Sequence, residues 1–266
     1  MIDFETTLHS VEKIIKDAGK ILSLHFGKII KEDIEVKSKN DYVTFVDKES
    51  ENFIVTQLKK IFPEASILAE EGEHKSTADG YRWVIDPLDG TKNYIHGYPL
   101  FCISISLEKQ GRPVLAVIYD PLHDELFEAV IGKGAFLNGE KIGVSSARRL
   151  ENSMIVTGFP YRAHKMIDEY LRVFKNIFMN TSGMRRDGSA ALNLCYVAAG
   201  RYDGFWEFKL GRWDISAGSL IVEEAGGKVS GIYGNKDYLD TGNIVAANPF
   251  IHNQILEHLA DFKLQV

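Results

Sequence analysis

Apolar residues recur at spacings of three and four along the first stretch of the chain: Phe4, Leu8, Val11, Ile15, Ala18, Leu22 and Phe26. That is one face of a 3.6-residue period, so the pattern predicts a helix over residues 4–26, with Gly27 as its C-cap. Residues 31–43 are charged and weakly patterned, and read as a surface ribbon or hairpin. Thr44-Phe45-Val46-Asp47 opens a second helix to about Phe62, with Phe53, Ile54, Leu58 and Ile61 inward, and Pro63 ends it. A short strand, 65–69, runs into Glu70-Glu71-Gly72, and a polar loop containing Asp79-Gly80 follows. Trp83-Val84-Ile85 is the next β-forming run. Leu100–Leu107, Val114–Tyr119 and Glu125–Val130 predict three more strands, antiparallel because their connections are short. Asn138-Gly139 marks a hairpin turn.

From Ser153 the pattern alternates. It predicts a strand at 154–157, helices at about 165–179 and 188–199, and a strand at 204–208. A helix at 214–225, strands at 227–230 and 244–247, and a helix from Pro249 complete the chain. Alternation of this kind builds a layered α/β unit. The expected organisation is mixed α/β in two lobes, 1–146 and 147–266, with a soft boundary near residues 145–150.

Composition narrows this further. A chain of 266 residues can bury a sizeable core, and 45% apolar with 26% charged content is ordinary for a globular protein. The net charge of −6 argues against a general nucleic-acid-binding surface. Cys102 and Cys195 sit in apolar runs and read as buried thiols, which fits a reducing compartment rather than a disulfide framework. The N-terminus is charged throughout and no run approaches a membrane span, so a cytoplasmic protein without membrane contact is expected.

The chemistry concentrates in Trp83-Val84-Ile85-Asp86-Pro87-Leu88-Asp89-Gly90-Thr91. Pro87 stops the strand ladder, and Gly90 allows a sharp turn or a close backbone approach. Two carboxylates, Asp86 and Asp89, thus end a buried strand beside the Gly90 and Thr91 amides. Oxygen ligands for a hard cation and backbone donors for an anion are what a phosphate-handling site needs. Glu70 would join Asp86 if their strands are neighbours, and Asp214 would face them across a cleft. Each residue also has a plain structural reading. Asp47 with Thr44 fits a capping box, Asp214 fits an N-cap, Glu70 and Glu71 fit solvated loop charges, and the Asp-Pro-Leu-Asp-Gly run fits a turn.

The combination decides between these readings. Glu70-Glu71, the run from Trp83 to Tyr94 and Trp213-Asp214-Ile215-Ser216-Ala217-Gly218 together resemble the inositol monophosphatase family of metal-dependent phosphatases. So do Asp41–Asp47, Lys133–Gly139, Gly188–Asn193 and Glu223–Gly227, so the resemblance runs almost the whole chain. It implies a layered α-β-α-β-α fold of the inositol monophosphatase and fructose-1,6-bisphosphatase type. It implies two or three Mg²⁺ ions per site, held by Glu70, Asp86, the Leu88 carbonyl, Asp89 and Asp214. Glu70, Thr91 and Asp47 would be catalytic, with Asp47 orienting Thr91 and Thr91 positioning a metal-activated water. Asp89, Gly90, Thr91, Gly188, Ser189, Ala190 and Glu207 would contact substrate. The implied activity is hydrolysis of inositol 1-phosphate, without a phosphoenzyme, in a lithium-sensitive homodimer. Fructose 1,6-bisphosphate and NADP or other nucleotides are alternative substrates within the family. A different class of role, regulatory binding to the transcription or ribosome-assembly machinery, is attached to some bacterial relatives. A phosphatase class built on an Asp nucleophile in a D-x-D-G-T turn is disfavoured, because here the two acids are one residue further apart.

Overall fold

The computed structural model describes residues 3–38, 41–72, 80–159, 166–260 and 262. In chain order the elements are α1 (Phe4–His25), β1 (Ile34–Ser38), β2 (Asp41–Thr44), α2 (Phe45–Ile61), β3 (Ser66–Ala69), β4 (Tyr81–Asp89) and α3 (Thr91–Ile95). Next come β5 (Cys102–Lys109), β6 (Arg112–Asp120), β7 (Glu125–Val130), β8 (Gly134–Leu137), β9 (Glu140–Lys141), β10 (Met154–Thr157) and α4 (Ile167–Phe178). Last are β11 (Gly183–Arg185), α5 (Ala190–Ala198), β12 (Gly204–Glu207), α6 (Arg212–Glu224), β13 (Lys228–Ser230), α7 (Tyr238–Thr241), β14 (Ile244–Ala247) and α8 (Pro249–Leu259).

Two sheets are stacked between three helical layers. The larger has the order β3-β4-β5-β6-β7-β8-β9, with β3 parallel to β4 and every other pair antiparallel. The smaller has the order β11-β10-β12-β14-β13. Strand residues alternate sides, so each sheet serves two cores. On the outer side of the larger sheet, Val11, Ile15 and Leu22 of α1 and Ile54 and Leu58 of α2 pack on Trp83, Ile85, Ile105 and Val117. On its inner side, Ala116, Ile118 and Phe127 meet Leu192 and Cys195 of α5 and Ile215 and Val222 of α6. That same core reaches Val156, Phe205 and Ala246 of the smaller sheet. Their chain neighbours Ile155, Trp206 and Val245 point the other way, onto Tyr170, Val173 and Ile177 of α4 and Ile251 and Ile255 of α8. The result is the expected α-β-α-β-α sandwich. The middle pair, α5 and α6, is packed closely: a Cβ on Gly218 would come 2.6 Å from Leu194.

Several elements depart from expectation. The charged segment after α1 is a hairpin, β1 pairing with β2. Ile61, expected inward, is 39% exposed because it is the last residue of α2 and has turned past the sheet. Pro87 interrupts β4 rather than ending it: the register breaks between Asp86 and Asp89, and pairing resumes at Asp89 opposite Cys102. α6 begins at Arg212, so Asp214 is its third residue rather than its cap. α5 begins at Ala190 with Ser189 as N-cap. α3, α7 and β11 are too short to carry a periodic signal. Asp79 of the expected polar loop lies outside the described residues. Both cysteines are free and buried. Among the described residues, no helix is long and apolar enough to cross a membrane.

Candidate active site

The site grows from the interruption in β4. Asp86 is 1% exposed, and its Oδ1 accepts the Leu88 N–H at 3.0 Å. The Pro87 carbonyl, which the interruption frees from the ladder, accepts the Ser50 hydroxyl of α2 at 3.0 Å. Gly90 then takes a left-handed conformation, φ 96°, and caps α3. A Cβ there would lie 3.0 Å from the Leu100 carbonyl, so the turn requires glycine for conformation and for space. Thr91 Oγ1 lies 3.1 Å from Asp47 Oδ1 and 3.0 Å from the Leu88 carbonyl, to either of which it can donate.

Asp47 makes both of the contacts considered for it. Its Oδ2 accepts the Thr44 N–H at 2.9 Å and the Thr44 hydroxyl at 2.6 Å, forming a capping box on α2. Its Oδ1 is thereby left for Thr91. Burial pushes the Asp47 carboxyl up to about 6, against the lowering effect of the Thr44 bonds.

Three other segments complete the cluster. β3 runs parallel to β4 with Ala69 opposite Ile85, and the Glu70 N–H donates to the Ile85 carbonyl at 3.2 Å. Glu70 and Asp86 therefore leave one edge of the sheet side by side. Asp89 Oδ2 accepts the Ser189 hydroxyl at 2.6 Å and the Ala191 N–H at 2.7 Å, which joins the turn to the start of α5. Asp214 Oδ2 accepts the Gly211 N–H at 2.6 Å at the start of α6. Carboxylate oxygens of Asp86, Asp89 and Asp214 all lie within 4.8 Å of one another.

Such a cluster is unfavourable without a cation. Burial, then Glu70, Asp89 and Asp214, raise the Asp86 carboxyl well above the usual carboxylate range. Burial raises Asp89 to about 6, opposed by its bonds to Ser189 and Ala191 and by Arg186. An all-oxygen donor set carrying this much buried negative charge fits a hard divalent ion.

A pocket of about 170 Å³ opens over the cluster. Glu70, Asp86, Leu88, Asp89, Gly90, Thr91, Gly188, Ala190, Glu207 and Asp214 all line it. Asp47 and Ser189 do not. Both are fully buried behind the wall, Asp47 against Thr91 and Ser189 against Asp89. Gly188, φ 94°, has no room for a side chain, because a Cβ would meet Arg186 and Asn93. Asn93 ties this segment to the turn, donating through Nδ2 to the carbonyls of Leu100 and Asp187 at 2.7 and 2.8 Å. Burial raises the Glu207 carboxyl to about 8, against the pull of Arg186.

Of the remaining lining residues, Tyr42 and Lys92 lie in runs that carry the family resemblance, whereas Gly158, Phe159 and Lys209 belong to no motif and reach the pocket through tertiary structure alone. A Cβ on Gly158 would overlap the Glu207 carboxylate. Lys209 is a non-glycine residue at φ 58°, a conformation costing roughly 1 kcal/mol or more. Its N–H donates to the buried Asn243 Oδ1 at 3.1 Å, and Leu210 N–H donates to the Gly242 carbonyl at 3.0 Å, which hold the bend.

One buried network sets the start of α6. Arg212, its first residue, donates through Nε to Glu108 Oε1 at 2.8 Å, through Nη2 to the Gly111 carbonyl at 2.6 Å, and through Nη1 to Asp240 at 2.8 Å. Arg82 and Ser216 bond the same Glu108 carboxylate at 2.7 and 2.9 Å. The turn that presents Asp214 is thereby anchored to β4, β5 and α7.

The profile of the inositol monophosphatase family matches residues 3–263. The chain belongs to the inositol monophosphatase family. Within the family it is 42% identical over 255 residues to Nus factor SuhB of Escherichia coli K12, covering 96% of each chain. Among solved structures it is similar to the extragenic suppressor protein suhB of Bartonella henselae, at 40% identity and TM-score 0.92, covering 96% of this chain and 99% of that one. It is equally similar in sequence to the inositol monophosphatase of Anabaena (Nostoc) sp., at 40% identity, TM-score 0.86 and 97% coverage of both. Membership places the chain among metal-dependent phosphatase-type proteins, and the acidic triad suits that chemistry.

Proposed function

We propose that this protein is a Mg²⁺-dependent phosphomonoesterase that hydrolyses inositol 1-phosphate to inositol and phosphate. The observation that carries the reading is the convergence of the Asp86, Asp89 and Asp214 carboxylates beside the Gly90–Thr91 turn. Glu70, Asp86, the Leu88 carbonyl, Asp89 and Asp214 would hold the ions, two or three per site. When bound, Mg²⁺ supplies Lewis acidity towards the phosphoryl oxygens and lowers the pKa of water.

The chain's own groups do the rest. When Thr91 Oγ1 donates to Asp47 Oδ1, its lone pairs are left to accept a proton from water. That orients the water for in-line attack, with the acidic Glu70 on the same wall to take up the proton. The Gly90 and Thr91 amides lie at the turn where the phosphate would sit, and Glu207 with the Gly188–Ala190 segment forms the wall for the alcohol. Release of phosphate from a panel of esters at fixed Mg²⁺ tests the assignment. Inositol 1-phosphate ranking well below fructose 1,6-bisphosphate in kcat/KM would overturn the substrate, and a trapped aspartyl-phosphate would overturn the mechanism.

A second reading is supported by the name Nus factor given to the SuhB relatives. It is a docking role in the transcription machinery, in tension with the expectation of no nucleic-acid partner that the net charge of −6 suggests. Asp86→Asn separates the two: a cellular phenotype complemented by the inactive variant would establish the non-catalytic role. The homodimer implied by the family would cover the apolar stripe that Ile167, Leu171 and Phe178 expose on α4, and sedimentation of the parent against Leu171→Glu tests it.

A further inference from the structure

Each acid of the triad accepts a backbone N–H on one of its two oxygens. Asp86 accepts the Leu88 N–H on Oδ1, and Asp214 accepts the Gly211 N–H on Oδ2. Asp89 accepts the Ala191 N–H on Oδ2 at 2.7 Å, and here a side chain adds a second donor to the same oxygen, the Ser189 hydroxyl at 2.6 Å. The Cys102 thiol lies 4.0 Å from that oxygen and 3.7 Å from Ser189 Oγ, which closes the same side. Ser189 is 1% exposed and does not line the pocket, so its hydroxyl is not placed to meet a substrate. It is fixed by its position as N-cap of α5, where Oγ accepts the Leu192 N–H at 3.3 Å while donating to Asp89.

An ionised carboxylate has about four acceptor sites, two on each oxygen. The Gly90 amide also acts on the Asp89 carboxylate, but Oδ2 is the oxygen that carries two short bonds. Both acceptor sites of Oδ2 are therefore filled, and Asp89 can present a cation with Oδ1 alone. Divalent ions differ in how they take that offer. Mg²⁺ demands a small octahedral shell, which one oxygen per carboxylate suits, whereas Ca²⁺ gathers about six to eight oxygens and readily takes both from one carboxylate. We infer that Ser189 is a positioning residue that sets the cation preference of the centre: by holding Asp89 Oδ2 it limits Asp89 to one-oxygen ligation and so favours Mg²⁺ over Ca²⁺. The inference rests on the proposed metal centre. It goes beyond that reading in assigning selectivity to a residue that touches neither ion nor substrate.

The test is calorimetric titration of the substrate-free protein with Mg²⁺ and, separately, with Ca²⁺, which reads binding without turnover. The step to follow is the one that Asp214→Asn abolishes, because Asp214 belongs to the same triad as Asp89. In Ser189→Ala one acceptor site returns to Oδ2 and the carboxylate can offer both oxygens. The ratio of the Ca²⁺ Kd to the Mg²⁺ Kd then falls about tenfold, the scale of one charge-assisted hydrogen bond. Ser189→Gly, which also lacks the hydroxyl but disturbs a helix cap little, gives the same fall. Ser189→Thr, which keeps the hydroxyl, restores the ratio. A ratio within twofold of the parent overturns the inference, and so does an equal weakening of both ions, which would mark the loss of a helix cap and nothing more. A threonine variant as unselective as the alanine one overturns it too. A parent that binds neither ion overturns the metal centre itself, whereas a parent that binds both with a ratio indifferent to residue 189 overturns the role of Ser189 alone.

Discussion

Glu108 offers the sharpest test of what holds the site together. Its side chain is completely buried, and four hydrogen bonds converge on it: two from Arg82, one from Arg212 and one from Ser216. Removing one partner of a buried ion pair costs about 3–5 kcal/mol, because the charge left behind has lost its compensation. The lower end applies here. Arg82 is 34% exposed and regains water, and Arg212 keeps Asp240 and the Gly111 carbonyl. Glu108→Ala is therefore expected to lose about 3 kcal/mol in urea denaturation, a fall in Tm of roughly 6 °C for a chain of this size. Glu108→Gln preserves shape and one acceptor and loses roughly half as much. Because Arg212 and Asp214 share the first turn of α6, either change also raises the Mg²⁺ concentration needed for half-maximal turnover. A double-mutant cycle with Arg212→Met should show a coupling of about 2 kcal/mol. A Glu108→Ala protein within about 1 kcal/mol of the parent, with its Mg²⁺ requirement unmoved, would refute the argument.

Further outcomes can be checked. Asp86→Asn and Asp214→Asn should each cost about a thousandfold or more in kcat, the equivalent of roughly 4 kcal/mol of lost charge stabilisation. With Mg²⁺ chelated, Asp86→Asn should melt above the parent, because it removes one of the mutually repelling buried carboxylates, and a lower Tm would contradict the electrostatic account. Mg²⁺ at a hundred times its Kd should add about 2.7 kcal/mol to the parent in a denaturation titration, and much less to Asp86→Asn. Burial holds His252 at about 4 against an ordinary 6.5, so its protonation opposes folding. Its contribution is complete above 6.5 and lost as pH falls through about 4, about 3 kcal/mol in all. Stability curves for the parent and His252→Gln should converge across that window, and parallel curves would exclude the histidine as the cause. Gly158→Ala should displace the Glu207 carboxylate and raise KM while leaving the urea midpoint nearly unchanged.

Much of the site was legible because its chemistry is carried by short runs. The strand-then-acid patterns marked the end of β3 at Ala69-Glu70 and the break in β4 at Ile85-Asp86, and parallel pairing of β3 and β4 brings the two together. Asp47 announced its helix cap through its spacing from Thr44, whereas its link to Thr91 was expected from the family resemblance alone. What stayed hidden depends on contacts distant in sequence. Ser50 on Pro87, Ser189 on Asp89 and Asn93 on Asp187 are single bonds of serine or asparagine, residues too common to signal a partner 37 to 100 positions away. Asp214 looked like a cap because the apolar run begins at Ile215, yet the helix starts earlier, since Asp214 accepts the Gly211 N–H from its third position and Arg212 finds its partners elsewhere in the fold. Lys209 could not be singled out at all, because left-handed lysine has no sequence signature.

The shared middle layer has a consequence for synthesis. Asp89 is held by the start of α5 and Asp214 rides on α6, and both helices are sandwiched between sheets from opposite halves of the chain. A nascent chain that has completed β1 to β9 owns Glu70, Asp86 and Asp89 but lacks the Ser189 and Ala191 donors and the fourth carboxylate. It can offer an ion only a loose, partly solvated grip. At the proposed metal site, tight retention would thus be a late event in the life of each molecule and would report that the sandwich has closed.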